Sequence, residues 1–248
     1  MKTHLPAQAL LLAAGRGERM RPLTDATPKP LLEVQGRPLL AWHLSAMARA
    51  GVAHACINTA WLEEQIPARL GTEWQEDGRT LALSYSLEGR DFGGALETAG
   101  GIARALPQLA DVFWVAAGDV FAPGFAFAPQ ALARFAASTM LAHVWLVPNP
   151  EHNPRGDFGL SPDGLALNLP PEHPGPRHTY STFGLYRRAF FQQPLCSIPP
   201  GNPQGVKAPL APLLRRAMEN GQVSAELYTG AWTDVGTPER LAQLNQTS

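Results

Sequence analysis

Short apolar segments alternate with helix-like segments along the first half of the chain, and this alternation limits the fold more than any other feature. Four apolar runs have the length and residue types of buried strands, at 7–14, 55–58, 81–86 and 112–117. Three helical patterns accompany them, at 38–51, 62–70 and 97–106. A series of strands joined by helices folds with parallel strands and with helices on both faces of the sheet. We therefore expect an α/β fold with a mostly parallel central sheet.

The second half of the chain breaks this pattern. Eight prolines fall within 148–178, and Asp163 and Gly164 predict a hairpin turn there. A strand pattern resumes over 180–186, and a helical stripe of apolar residues follows over 210–218. A linker between two domains is one interpretation of the proline-rich segment. We favour an insertion that covers a substrate, within a single domain over 1–248.

Charge and cysteine content exclude several classes of function. The formal net charge is -1, so no overall basic field recruits nucleic acid or an anionic membrane. No apolar run is long enough to span a bilayer, and the first residues lack the apolar core of a signal peptide. Cys56 and Cys196 are isolated from each other, which favours reduced thiols in a cytoplasmic protein over a single disulfide.

The first apolar run leads into a loop rich in glycine, arginine and proline. Gly15 and Gly17 allow backbone N–H groups to face an anion closely. The loop carries four cations, Arg16, Arg19, Arg21 and Lys29. It lacks the lysine of a P-loop, and it has Met20 and Pro22 where a dinucleotide-binding loop needs glycine and a helix. A basic surface loop is the simpler interpretation, but the cations and prolines favour a polyphosphate site.

Two aspartates are candidates for a metal site. Asp119 directly follows the strand 112–117, and Asp234 precedes a helix that Thr237 and Pro238 are expected to begin. Mg²⁺ binds one or two carboxylates and completes its octahedron with phosphate oxygens and water. Asp234 fits a turn or a helix cap equally well, so the pairing of the two carboxylates is a hypothesis that the fold must test.

Two further features have both a structural and a functional interpretation. The helix that starts at Glu97 exposes backbone N–H groups to a base or a phosphate, although Thr98 fits an ordinary cap. His43 falls on the apolar face of its helix and is interpreted as a core residue. No histidine has the neighbours that a zinc site needs.

Together these motifs resemble the sugar-1-phosphate nucleotidyltransferases. The resemblance rests on the segments Leu12–Met20, Pro28–Pro30, Gly118–Asp119 and Trp232–Thr237. Further segments are most similar to the N-acetylmuramate 1-phosphate uridylyltransferases: 17–20, 96–102, 149–150 and 155–158. The resemblance implies a Rossmann-like nucleotidyltransferase fold with a nucleotide-binding half over 1–147 and a sugar-phosphate-binding half over 148–248. It also implies Mg²⁺-dependent attack of a sugar 1-phosphate on the α-phosphorus of a nucleoside triphosphate, with release of pyrophosphate.

The resemblance implies roles for individual residues. The residues implied for catalysis are Arg19 and Lys29. Those implied for nucleotide binding are Ala13, Ala14, Gly15, Gly17, Glu88, Thr98, Gly100 and Asp119. Those implied for the sugar phosphate are Asn149, Gly156, Thr182 and Lys207. Asp119 and Asp234 are the implied metal ligands.

The chain also departs from the pattern of these enzymes. Glu18 stands where their loop has threonine, Thr182 stands where a strand has glycine, and 89–94 resembles a small insertion. Their usual Glu-Lys pair for the sugar is not evident after Asp157. UTP with N-acetylmuramate 1-phosphate, in cell-wall recycling, is the expected substrate pair. Mannose or glucose 1-phosphate with GTP, UTP or dTTP is an alternative, as is a catalytically silent domain that senses nucleotide sugars.

Overall fold

One eight-stranded sheet organises the computed structural model, which describes residues 7–246. The strands are β1 Gln8–Leu12, β2 Glu33–Val34, β3 Arg37–Pro38, β4 His54–Thr59, β5 Glu73–Glu76, β6 Arg79–Leu87, β7 Val112–Ala117, β8 Val120–Phe121, β9 Ala142–Val147, β10 Gly159–Leu160, β11 Ala166–Leu167, β12 Thr179–Arg187, β13 Val223–Leu227 and β14 Thr233–Asp234. The helices are α1 Leu23–Ala26, α2 Leu39–Arg49, α3 Gln65–Leu70, α4 Glu88–Phe92, α5 Glu97–Ala105, α6 Pro129–Ala137, α7 Ala211–Glu219 and α8 Pro238–Gln246. No helix of this part of the chain is both long and apolar enough to cross a membrane.

The sheet joins the two halves of the chain. Its order is β13-β9-β12-β7-β1-β4-β6-β5, and the central strands β7, β1, β4 and β6 are parallel. Strand β12 lies antiparallel between β7 and β9, so the second half contributes strands to the sheet that the first half begins. The α/β class and the mostly parallel sheet expected from the sequence are confirmed.

Hydrophobic cores cover both faces of the sheet. Along β1, Leu10 belongs to the core on one face and Leu11 to the core on the other, and both are completely buried. Strands covered on both faces read as continuous apolar runs, which is why the sequence pattern identified them. The core on the side of Leu11 includes Trp114 stacked on Trp145, with ring centroids 5.2 Å apart.

Pairing along the sheet brings three strand ends to one edge. Leu12 at the end of β1 is in register with Asn58 on β4 and with Ala117 on β7. The chain segments that follow β1 and β7 therefore leave the sheet side by side. Ligands of open α/β sheets bind at such carboxyl ends.

Several local expectations are refined by the structure. Residues 89–94, expected as an insertion, begin within α4. This helix ends at Phe92, and Gly93 caps it in a left-handed conformation. Helix α3 begins at Gln65 because Leu62 lies in a turn with φ +47°. Asp234 lies within β14, where it pairs with Val120 of β8. The predicted hairpin at Asp163 and Gly164 is present between β10 and β11.

His43 on α2 lies in the core, as its position on the apolar face indicated. Its ring packs edge-on against Phe127 and Phe183, and its Nε2 has no hydrogen-bond partner among the described residues. Burial lowers the pKa of His43 from 6.5 to about 4. The imidazole of His43 is therefore neutral in the folded protein at pH 7.

We predict that His43 makes the fold sensitive to mild acid. The pKa is lower in the folded state, so the unfolded state takes up the proton first and stability falls as the pH drops from about 6.5 toward 4. Wild type should lose about 2 kcal/mol more unfolding free energy than His43→Met between pH 7 and pH 5. Denaturant unfolding at both pH values measures this difference. His173→Met, which removes an exposed histidine, is the control, and equal pH dependence of wild type and His43→Met would contradict the prediction.

Candidate active site

A cavity of about 760 Å³ lies where the carboxyl edge of the sheet faces the second half of the chain. Nine of the fifteen site residues predicted from the sequence line it: Ala13, Ala14, Gly15, Gly17, Arg19, Lys29, Thr98, Asp119 and Thr182. Six do not line it: Glu88, Gly100, Asn149, Gly156, Lys207 and Asp234. The cavity is therefore bounded by the glycine and arginine loop on one side and by residues of the second half on the other.

The shape of the loop depends on Gly17. Its φ is +65°, and a Cβ added there would lie 3.1 Å from both Lys29 Cβ and Thr24 Cγ2. The Thr24 hydroxyl donates a hydrogen bond to the Gly17 carbonyl oxygen at 2.8 Å, and Met20 N–H donates to the same oxygen at 2.9 Å. No heavy atom lies within 4 Å of the corresponding position at Gly15. Gly17 thus packs the loop against Lys29, while Gly15 leaves open space for a ligand.

Two of the four loop cations line the cavity. Arg19 is exposed at its wall and Lys29 is buried. Arg16 stacks on the Trp61 ring at 4.1 Å and faces Glu18, while Arg21 pairs with the carboxylate four residues later. The positive charge available to a ligand from this loop is therefore that of Arg19 and Lys29.

Lys29 and Asp119 form an ion pair across the cavity floor. Lys29 is only 7% exposed, and its ammonium donates to Asp119 Oδ2 at 2.5 Å. The Asp119 side chain is 39% exposed, so one side of this carboxylate faces the cavity. A buried ammonium requires such a partner, because desolvation without one is costly. The pair places an ammonium and a partly exposed carboxylate side by side at the cavity.

Asp234 lies next to Asp119 along the backbone but its carboxylate is engaged elsewhere. Val235 N–H donates to the Asp119 carbonyl oxygen at 2.9 Å. Asp234 Oδ1 accepts a hydrogen bond from Arg240 at 2.5 Å and faces His152 Nε2 at 2.8 Å. Over residues 7–246, no cluster of three or more acidic, histidine or cysteine side chains is arranged to hold a metal. The structure brings the two backbone segments together and does not direct both carboxylates into the cavity.

A buried chain of hydrogen bonds fixes the side of the cavity that the first half of the chain forms. Ala13 N–H donates to Asn58 Oδ1 at 2.8 Å, and Asn58 Nδ2 donates to Glu88 Oε1 at 2.7 Å. The other oxygen of Glu88 accepts from Leu96 N–H at 2.8 Å. Burial raises the pKa of Glu88, and these two hydrogen bonds oppose the shift. Glu88 therefore holds the strand ends in place and does not line the cavity. Asn58, which the sequence did not single out, lines the wall.

Gly100 allows a close approach of two backbone segments. A Cβ at this position would lie 2.4 Å from the Val206 carbonyl oxygen. Both Ala99 N–H and Gly100 N–H donate to the Ala208 carbonyl oxygen, at 2.8 and 3.2 Å. These donors of the first turn of α5 are thus used within the protein, and Lys207 between the two carbonyls is exposed outside the cavity. The cavity is lined instead by Glu97 and Thr98.

Asn149 and Gly156 shape the loop in which Asp157 lines the cavity. The Asn149 side chain donates to Arg177 O and accepts from Thr179 Oγ1, both at 3.0 Å. Gly156 has φ +63°, and a Cβ there would lie 2.7 Å from Asn149 Oδ1. Asp157, whose Oδ2 accepts from Tyr180 N–H at 2.8 Å, lines the cavity. The residue of this loop that lines the cavity is Asp157, the neighbour of the expected Gly156.

Thr182 occupies a backbone conformation that suits glycine. Its φ is +71°, at an irregularity of β12 between Tyr180 and Gly184. A β-branched residue with positive φ is strained. Its buried Oγ1 has no partner among the described residues, although Thr182 lines the cavity. The threonine that stands in place of glycine here therefore puts a buried, unpartnered hydroxyl at a site of backbone strain, as far as residues 7–246 show.

Comparison with known proteins identifies relatives over almost the whole chain. The model of the nucleotidyl transferase family matches residues 8–248. An N-acetylmuramate alpha-1-phosphate uridylyltransferase of Neisseria meningitidis serogroup B is 45% identical over 95% of this chain and 96% of its own. A protein of the same description from Caulobacter vibrioides is 30% identical over 94% of this chain and 93% of its own.

A solved structure has the same fold. A putative glucose-1-phosphate thymidylyltransferase from Bacillus anthracis superposes with a TM-score of 0.77, covering 97% of this chain and 95% of that one. The two sequences are 20% identical, so the likeness concerns the fold.

We predict that the backbone at residue 182 prefers glycine. Thr182→Gly should be about 1 kcal/mol more stable than Thr182→Ala, because only glycine adopts positive φ without a Cβ penalty. Both variants lack the hydroxyl and the branched methyl group, so the comparison isolates the backbone. Denaturant unfolding measures the difference, and an alanine variant as stable as the glycine variant would show that the position is not strained.

Proposed function

The chain belongs to the nucleotidyl transferase family, and we propose that it joins UTP and N-acetylmuramate 1-phosphate to give UDP-N-acetylmuramate and pyrophosphate. The observation that carries the choice of substrates is the 45% identity, across 95% of this chain, to a relative described as the uridylyltransferase for that sugar phosphate. The cavity supports the reaction class, since it has a cationic glycine loop on one wall and a separate wall for an acceptor.

The reaction requires positioning and charge neutralisation. An oxygen of the sugar phosphate attacks the α-phosphorus in line, the bond to the β-phosphate oxygen breaks, and pyrophosphate leaves from the opposite side. Gly15, Gly17 and Arg19 hold the triphosphate and the leaving pyrophosphate. Lys29 neutralises the charge that builds between the two reacting phosphates. Charges fixed in advance in this way are a principal source of rate enhancement in phosphoryl transfer.

Mg²⁺ fits the acidic side of the cavity. The partly exposed carboxylate of Asp119 would hold the ion together with phosphate oxygens, the coordination that this metal prefers. Asp234 would join only after its carboxylate releases Arg240 and His152. When bound, the ion neutralises negative charge on the phosphates.

The remaining residues act by shaping the walls. Glu88 and Gly100 hold the nucleotide wall in place, and Asn149 and Gly156 hold the loop that presents Asp157. Lys207 acts on the sugar phosphate only if segment 206–208 moves toward the cavity. Thr182 belongs to the cavity wall on the side of the sugar phosphate.

The cellular setting follows from the substrates. UTP is a cytoplasmic nucleotide, and an N-acetylmuramate phosphate arises when cell-wall material is recovered. Both cysteines are free and buried, in keeping with a reducing compartment. We therefore place the reaction in the cytoplasm, within peptidoglycan recycling.

A matrix of substrates tests the assignment. UTP, GTP, dTTP, CTP and ATP are each combined with the 1-phosphates of N-acetylmuramate, mannose and glucose, and pyrophosphate release is followed with and without Mg²⁺. UTP with N-acetylmuramate 1-phosphate should have the highest kcat/KM, and activity should require the metal. A low rank for this pair would overturn the substrate assignment alone, whereas no release from any pair would favour a silent sensor of nucleotide sugars.

We predict that Lys29 is needed for turnover and not for folding. Lys29→Met keeps the aliphatic packing against Gly17 and removes the charge, so kcat should fall by about 10²- to 10³-fold. The thermal unfolding midpoint should change little, because Asp119 remains partly hydrated. Arg21→Met, which removes a cation outside the cavity, is the control. Turnover of Lys29→Met within threefold of wild type would remove Lys29 from the mechanism.

A further inference from the structure

Arg215 is a cation of the cavity wall that the motifs did not identify. It lies on α7 and lines the cavity from the side of the second half of the chain. Its Nη1 donates to Asn168 Oδ1 at 2.6 Å. Its guanidinium carbon lies 5.2 Å from the centroid of the Phe158 ring, which is 2% exposed. The amide and the buried ring together fix the position and the plane of the guanidinium.

This guanidinium has no acidic partner among residues 7–246. Arg19, Lys29 and Arg215 are the cations that line the cavity within residues 7–246, and Lys29 is paired with Asp119. No carboxylate of that part of the chain lies within ion-pair distance of Arg215. Its side chain donates one hydrogen bond within the described part of the chain, to the neutral amide of Asn168. A half-buried, oriented and unpaired guanidinium facing a cavity is suited to an anionic group of a ligand.

The phosphates of the substrates have other partners. The glycine loop, Arg19 and Lys29 all follow β1, at the carboxyl edge of the sheet. Arg215 belongs to a different element, and its ring neighbour Phe158 directly follows Asp157 of the opposite wall. The carboxylate of Asp157 is itself held by Tyr180 N–H and by Asn153. Arg215 therefore adds a cation to the cavity from a helix that is separate from the glycine loop.

We infer that Arg215 binds the carboxylate of the lactyl ether of the sugar substrate and selects N-acetylmuramate 1-phosphate over sugar phosphates that lack a carboxylate. This inference rests on the proposed function. N-acetylmuramate differs from N-acetylglucosamine by that lactyl group alone, which carries a negative charge at neutral pH. A carboxylate that enters a partly enclosed cavity loses water and needs charged donors in its place. The guanidinium supplies them in the fork geometry that matches a carboxylate.

The test measures kcat/KM with UTP for two sugar phosphates that differ only in the lactyl group. Arg215→Gln should lower kcat/KM for N-acetylmuramate 1-phosphate by about 10- to 100-fold, the loss expected for a charge-assisted hydrogen bond to substrate. For N-acetylglucosamine 1-phosphate, kcat/KM should stay within threefold of wild type. Arg215→Lys, which keeps the charge without the fork, should give an intermediate loss confined to the muramate substrate.

The control is the neighbouring residue on the same helix. Arg216 lies outside the cavity and donates to the carbonyl oxygens of Pro194 and Leu195. Arg216→Gln should leave the preference between the two sugar phosphates unchanged. Thermal unfolding midpoints compare the folding of all variants, and turnover of the glucosamine substrate reports an intact catalytic site.

The outcomes separate this inference from the proposed function. Equal losses for both substrates in Arg215→Gln and Arg215→Lys would mean that Arg215 binds a phosphate or supports the fold, and would overturn the inference. Full retention of the muramate preference in Arg215→Gln would also overturn it. A wild-type enzyme that does not use N-acetylmuramate 1-phosphate would overturn the substrate assignment itself, before any variant is made.

Discussion

The hydrogen-bonded carboxylate of Glu88, which is buried, is the interaction on which the first-half side of the cavity depends. It follows β6, and its hydrogen bonds run through Asn58 on β4 to Ala13 at the end of β1. Its second oxygen receives Leu96 N–H at the start of α5. A charge buried in this way is tolerable only when its acceptor oxygens are used. A Cβ at Gly101 would lie 2.7 Å from both Asn58 Nδ2 and Glu88 Oε1, so the second glycine of the Gly100–Gly101 pair makes room for this network.

Charge distribution divides the cavity into parts with different tasks. Lys29 and Asp119 neutralise each other in the absence of ligand, so neither has to be buried unpaired. Arg240 likewise neutralises the carboxylate of Asp234 through an ion pair. The hydrogen bond from Val235 to Asp119 ties the C-terminal segment to the same edge of the sheet. Within residues 7–246, Arg19 and Arg215 line the cavity without an acidic partner, so their charges are available to an anionic ligand.

The sequence predicted the elements better than it predicted contacts with a ligand. Strands buried on both faces and helices with one apolar face leave periodic patterns, so β1, β4, β7 and α2 were all identified. Motifs do not distinguish a residue that touches a ligand from one that shapes the wall, which is why Glu88 and Gly100 were expected in the cavity. Asn58 falls inside a strand, where the sequence indicates only a buried position. Arg215 lies on an amphipathic helix, where a charged residue indicates only the face exposed to solvent. Their positions depend on strand register and helix packing, which a single sequence does not encode locally.

Backbone strain at the cavity argues that side chains there are used. Six residues other than glycine have positive φ within 7–246, and two of them, Glu97 and Thr182, line the cavity from opposite halves of the chain. Gln35 and Asp77, by contrast, occupy hairpin turns, where such conformations are ordinary. Glycine would relieve the strain at a wall position, but it would also remove the carboxylate or the hydroxyl. Strain of this kind persists where the surrounding structure enforces it and where the side chain contributes to function. Glu97 stands at the start of α5 and Thr182 lies in β12, so the two strained residues bound the same cavity from the two halves of the chain.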